Sequence, residues 1–243
     1  MVVEVVKLAN LERELRRLAD PVRAKNNAWF FKTGPGQYGE GDKFIGLTVP
    51  KTRTVARAYR NLSFSDTAKL LSSPYHEARL CALLILVDNF AIAQKQRDQK
   101  KQTEIYNFYL KNLKFVNNWD LVDLSTPKIV GPYLLERSRS PLYKLVKSKN
   151  LWERRVAIIA TCEFIRHKDF ADTLKISELL LADKHDLIHK AVGWMLREVG
   201  KRDTKALENF LKKYYKVMPR TMLRYAIEKF PEHRRRAYLR GLI

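Results

Sequence analysis

The chain has 243 residues, 46% of them hydrophobic, enough to bury a full core without disulfides and too many for a disordered segment. Lys and Arg number 47 against 26 Asp and Glu, a formal charge of +21 that exceeds what solubility needs and points to a polyanionic partner. Nucleic acid is expected before a membrane surface: the start Met1-Val-Val-Glu-Val-Val carries no amphipathic or lipid-anchor signal, no secretory leader is visible, and the longest apolar run, Leu80 to Val87, is too short to span a bilayer.

Cys81 and Cys162 each lie in an apolar helical stretch and read as small buried residues of a reducing compartment, so a cytoplasmic protein is expected. No zinc spacing exists. His185 and His189 are four apart without the Glu of a zincin motif, and His76, His167 and His233 are isolated, so no metal and no cofactor are expected.

In chain order, Asn10 onward repeats apolar positions at helical spacing, and Asp20-Pro21 closes one helix and opens another. The second helix runs through Ala24 to the cluster Trp29-Phe30-Phe31. A Gly-rich segment follows at about 33–49, holding five of the nine glycines. Gly34, Gly36 and Gly39 spell GxGxxG, but no strand precedes them and no helix N-terminus follows, so a loop is expected rather than a dinucleotide site. Its glycines either permit left-handed turns, the favoured reading, or let backbone approach a phosphate. Phe44 to Pro50 reads as a β-like or extended link, and Pro50 suits the first turn of a helix over Lys51 to Arg60. A short helix is expected after Ser65, a strongly apolar one after Pro74 and an amphipathic one from about Thr103 to Lys114. Between the last two, Gln94 to Gln102 is a polar, basic loop or helix extension. Further helices fill the chain past Leu145, with Pro219 and Pro231 near two helix starts.

The run Phe115-Val-Asn-Asn-Trp-Asp-Leu-Val-Asp123 departs most from a purely structural helix. Asn117 or Asn118 is a good N-cap, which puts Trp119 in the first turn and Asp123 four residues on, on the same face and close to the helix's positive end.

Five segments align by their helix starts: Pro74 to Cys81, Asn118 to Ser125, Asn150 to Ala157, Asp186 to Gly193 and Pro219 to Ala226. The starts lie 44, 32, 36 and 33 residues apart, near the period of a helical-hairpin repeat. Each segment ends in a small residue, Cys81, Ser125, Ala157, Gly193 or Ala226, as close stacking of neighbouring helix pairs requires. The expected fold is all-α: one domain over 1–243, an α-solenoid of antiparallel helical hairpins. The residue two places before each small one forms a spoke of Arg79, Asp123, Arg155, Ala191 and Arg224. If that spoke lines the concave face, a basic groove carries Asp123 as its single carboxylate, with Trp119 and Trp194 within a turn of it. Such arginines suit phosphates, whereas Trp152, off the spoke, is expected to pack between layers.

A single carboxylate among aromatics and arginines limits the chemistry. Ordinary glycosidic hydrolysis typically takes two carboxylates. One suffices when the leaving base is already cationic, since it departs neutral and needs no acid. What remains is to stabilise an oxocarbenium-like sugar and position water, while tryptophan faces attract the cation.

The blocks Trp119-Asp-Leu-Val-Asp123, Trp152-Glu-Arg-Arg-Val-Ala157, Lys190-Ala-Val-Gly-Trp-Met-Leu-Arg-Glu198 and Pro219-Arg-Thr-Met-Leu-Arg-Tyr-Ala226, in that order, resemble the DNA alkylation repair glycosylases of the AlkD-like, HEAT-like repeat family. The resemblance covers nearly the whole chain. It implies a monofunctional glycosylase that releases cationic 3-methyladenine and 7-methylguanine from duplex DNA without flipping the base. Asp123 then matches the catalytic Asp, Trp119 and Trp194 the aromatics that pack on the lesion's deoxyribose, and Arg155 the backbone-contacting arginine, with Arg154 as its second-ranked neighbour. Arg79, Arg224 and Lys190 join these as DNA contacts, and a monomer is expected to act. The family's N-terminal aromatic stays open among Trp29, Phe30 and Phe31. Two other readings are a non-catalytic binder of bent, damaged or branched DNA, and a protein-interaction scaffold.

Overall fold

A computed structural model describes residues 2–243, with side chains described from Lys7 onward; the N-terminal stretch read for anchor signals therefore lies largely outside the described residues. The protein is all-α, and among the described residues the only β-pairing is a bridge between Lys43 and Tyr75. No helix among them is long and apolar enough to cross a membrane. The chain forms two compact units, Met1–Ile129 and Val130–Ile243.

The first unit contains α1 (Val2–Arg17), α2 (Pro21–Phe30), α3 (Val49–Ala58), α4 (Phe64–Leu71), α5 (His76–Lys95), α6 (Gln99–Lys111) and the start of α7 (Trp119–Leu134). Polar side chains set the starts, at the expected place for α2 but ahead of the expected Lys51 and Ser65 for α3 and α4. Asp20 caps α2 by accepting the Arg23 N–H at 2.9 Å, with Pro21 in the first turn, and Thr48 and Ser63 cap α3 and α4. The basic stretch around Gln94 is a tight turn that ends α5 and starts α6 under an Asp98 cap. α5 packs against α3, α4 and α6, and its middle, Ala78 to Val87, is buried all round, which is why it shows no polar face. Each of its buried Leu and Ile side chains contributes about 1.5–3 kcal/mol.

The segment between α2 and α3 is a turn-rich loop in which Gly36, Gly41 and Gly46 take the left-handed conformation. It is fastened down by Glu77, a buried carboxylate at the start of α5 that accepts the N–H groups of Ile45, Gly46 and Leu47 at 2.8, 2.8 and 3.2 Å. The link expected to be extended is thus held at the N-terminus of α5.

The second unit contains α8 (Ser140–Leu145), α9 (Leu151–Ala160), α10 (Cys162–Arg166), α11 (Ala171–Leu179), α12 (Asp186–Gly200), α13 (Thr204–Tyr214), α14 (Arg220–Ala226) and α15 (Glu232–Arg240). α12 is its centre, packing on α9, α11, α13 and α14. Trp152 is buried here, as expected of a residue between layers.

The repeat register holds at the level of helix starts. The five aligned segments become α5, α7, α9, α12 and α14, whose first residues fall within two positions of the expected starts. All five small residues are buried. Gly193 shows why: a Cβ there would lie 2.4 Å from the Tyr225 Cβ and 2.6 Å from the Met222 carbonyl oxygen on α14. Gly193→Ala is expected to lower the stability of the second unit by about 2–3 kcal/mol through overpacking, read as an earlier urea midpoint.

Candidate active site

The N-terminus of α7 brings an aromatic face and a carboxylate together. Asn118, not Asn117, takes the cap position: its carbonyl accepts the first helical N–H, from Val122, at 3.1 Å. Trp119 and Asp123 follow one turn apart, and both are half-buried, so each keeps an accessible edge.

Behind Trp119 stands a stack of rings. Trp119 lies face to face with Phe31 at 5.3 Å and 21°, while Phe30 meets it edge-on at 6.0 Å. Phe31 in turn stacks on Phe44 at 5.2 Å. Of the three N-terminal aromatics, Phe31 is thus the inner support. Phe30 and Trp29 are 54% and 75% exposed, which leaves them as the outward-facing pair, with Lys32 over the Trp29 ring at 4.9 Å.

Asp123 is backed by a buried hydroxyl cluster in which Tyr109 Oη meets Ser125 Oγ at 2.8 Å and Thr126 Oγ1 at 2.9 Å. Burial, with a smaller contribution from the Asp123 charge, pushes the Tyr109 phenol up to about 12. The phenol therefore stays neutral and ties α6 to α7 beside the carboxylate.

Below the stack is a cluster of buried charges that the sequence leaves unannounced. His76 has Nε2 2.8 Å from Asp120 Oδ2 and Nδ1 3.3 Å from Asp42 Oδ2. Arg79 Nη2 pairs with Asp42 Oδ1 at 2.7 Å, and Asn118 donates to Asp42 Oδ2 at 3.3 Å. The imidazole also lies 4.8 Å from the Phe44 ring and 4.9 Å from Phe31. Burial opposes charge on His76, but Asp120 and Asp42 outweigh it and raise its pKa to about 9. Burial likewise opposes ionisation of Asp42, yet His76 and Arg79 hold its carboxyl below the usual range.

The basic residues expected to face DNA are placed unevenly. Arg79 is only 4% exposed and is spent on Asp42 and the Ser73 carbonyl. Arg155 is equally buried and donates to the Leu187 carbonyl, tying α9 to the start of α12. Ala191 on the same spoke is fully buried, so these spoke positions turn toward neighbouring helices rather than toward solvent. Arg154 is partly buried, with Nε 2.6 Å from Asp183 Oδ2, and Lys190 pairs with Asp186 at 2.7 Å. Arg224 is exposed. It lines, with Lys190, Thr221 and Tyr225, a surface pocket of about 430 Å³. Trp194 is half-buried on α12. Among the described residues no group of three or more His, Cys, Asp or Glu could hold a metal ion.

His76 and Asp120 escaped the sequence reading because they lie 44 residues apart, and Asp42 a further 34 from His76. One signal was available. In the repeat register His76 stands two places after Pro74 and Asp120 two places after Asn118, the same position in successive repeats.

Comparison with known proteins adds three findings. The family described as DNA alkylation repair enzyme matches residues 11–230. A solved structure described as a predicted DNA alkylation repair enzyme from Enterococcus faecalis is similar in fold, with a TM-score of 0.66 at 17% identity over 88% of this chain and 97% of that one. Among curated proteins there is no match.

Proposed function

The chain belongs to the DNA alkylation repair enzyme family, and from that premise we propose that it is a monofunctional DNA glycosylase releasing cationic alkylated purines, 3-methyladenine and 7-methylguanine, from duplex DNA without base flipping. The observation that carries this reading is the pairing of Trp119 and Asp123 on the accessible first turns of α7, with Trp119 stacked on Phe31. In the reaction the C1′–N bond breaks with its electron pair going to the base, which leaves neutral. Asp123 stabilises the positive charge that develops on the sugar and orients the water that attacks C1′. The water's proton passes to solvent, and an abasic site remains. Trp119 supplies an aromatic face for the sugar and the cationic base. No metal or cofactor has a part in these steps.

For binding, the +21 charge supports contacts to several phosphates. Arg224, Lys190 and the exposed end of α2 are the accessible candidates. Arg154 and Arg155 act through their present partners, and Arg79 is assigned to support rather than to DNA. If about five phosphates are neutralised, duplex affinity falls about twentyfold for each doubling of salt. A flat salt response would favour a protein-interaction scaffold.

The exposed Trp29 and Phe30 beside Lys32 would also serve a non-catalytic binder of bent or branched DNA. One assay separates the readings: duplex DNA treated with a methylating agent is incubated with the protein and scored for abasic sites, beside the salt titration. Abasic sites above the spontaneous background support the glycosylase; steep salt dependence without them supports the binder.

A further inference from the structure

We propose that His76 is a positioning residue of this site: held between Asp42 and Asp120, stacked on Phe44 and lying against the tilted ring of Phe31, its imidazolium fixes the first turn of α7, and with it Trp119 and Asp123. As regards the reaction, the inference rests on the glycosylase reading.

The geometry requires the charged ring. Both ring nitrogens face carboxylate oxygens, Nε2 to Asp120 at 2.8 Å and Nδ1 to Asp42 at 3.3 Å. A neutral imidazole carries a single N–H, so one nitrogen lone pair would be set against a carboxylate; only the imidazolium donates to both. The ring is 2% exposed, so water does not substitute for a lost bond.

The clamp is connected to the site by short covalent links. Asp120 is the neighbour of Trp119 and stands three residues before Asp123 on the same helix. Asp42 also accepts from the cap residue Asn118, so the loop holds the start of α7 directly at Asn118 and, through His76, at Asp120. The ring faces of Phe31 and Phe44, which favour a cation, carry the contact on to the Trp119 face. This gives the Gly-rich loop a role: it carries Asp42 to the clamp, and Glu77 holds it there.

The charged groups facing His76 are Asp42 from the loop, Asp120 from α7 and Arg79 from its own helix, and Arg79 opposes the proton while the two carboxylates hold it. Because the folded group titrates near 9 and the free one near 6.5, the clamp's contribution is complete below about pH 6.5 and is lost as pH rises through about 9.

The test compares wild type with His76→Gln, which keeps a donor toward Asp120 but removes the charge, between pH 7 and 10. Two readouts are taken: the single-turnover rate of 7-methylguanine release, corrected for spontaneous loss, and the emission of Trp119, taken as wild type minus Trp119→Phe. Wild type is expected to lose about tenfold in rate, the equivalent of one pKa unit of lost interaction, as the Trp119 emission shifts with a midpoint near 9. At pH 7 the variant is expected to be about tenfold slower at nearly unchanged duplex affinity, with neither alkaline step.

A variant with the wild-type rate and the same alkaline step would overturn the proposal. So would a wild type with no Trp119 emission step near pH 9, or an emission step unaccompanied by any change in rate. If His76→Gln does not fold, the wild-type profile decides alone. If wild type releases no base at any pH, the glycosylase reading fails, and the emission step by itself still decides whether His76 holds Trp119.

Discussion

Asp123→Asn is expected to lose about 10²–10³-fold in release of 7-methylguanine from duplex DNA, while duplex affinity changes by less than about threefold. Asn has the shape of Asp, so the Trp119–Phe31 stack and the Tyr109 hydroxyl cluster are left in place. What goes is the negative charge, the one feature the oxocarbenium-like sugar requires. The site is half-buried, so the anion is partly shielded from water and its effect on a nearby cation exceeds the value in bulk solvent. The melting temperature serves as the control: it should stay within a degree or two of wild type. Wild-type excision by a folded Asp123→Asn protein would remove the mechanism.

Gly46→Ala is expected to be the most damaging conservative change in the first unit, costing more than about 3 kcal/mol and about 10 °C in melting temperature. Gly46 has φ +92°, and a Cβ on it would lie 2.0 Å from the Asp20 carbonyl oxygen and 2.9 Å from the Ala24 N. Both atoms belong to the first turn of α2, where the Asp20 carbonyl accepts the Ala24 N–H and Ile45 accepts from Asp20. The backbone has no free direction to move, because Glu77 holds residues 45–47 from the other side. α2 must shift, and it carries Phe30 against the Trp119 ring. Release activity should therefore fall together with stability, measured by thermal unfolding and the same release assay. An unchanged melting temperature would show that the loop adapts more freely than its contacts imply.

The fold was legible because its signals are local. Cap residues such as Asp20, Asn118 and Asn150 mark starts, and the small residues Cys81, Ser125, Ala157, Gly193 and Ala226 mark where helices approach. Trp119 and Asp123 were legible as a pair for the same reason, since spacing of four on a helix fixes their relation. The fate of the spoke was not. Whether an arginine at a given register faces solvent depends on what a distant segment brings to it, and Asp42 in the loop captures Arg79 while the start of α12 captures Arg155. His76 read as isolated because both of its partners come from other elements. Asp120 shares its repeat register, but Asp42 is brought in by the packing of a long loop, which no periodicity encodes.

The central claim is base release, and its most direct measurement is chromatographic. A duplex carrying one 7-methylguanine is incubated with wild-type protein and with Asp123→Asn, and the free base in solution is quantified against buffer alone. The wild-type protein is expected to liberate free 7-methylguanine well above the buffer control, leaving one abasic site per base released, and the variant to remain near the control. Free base at the level of the buffer control with wild-type protein, under conditions where the duplex is bound, would contradict the account.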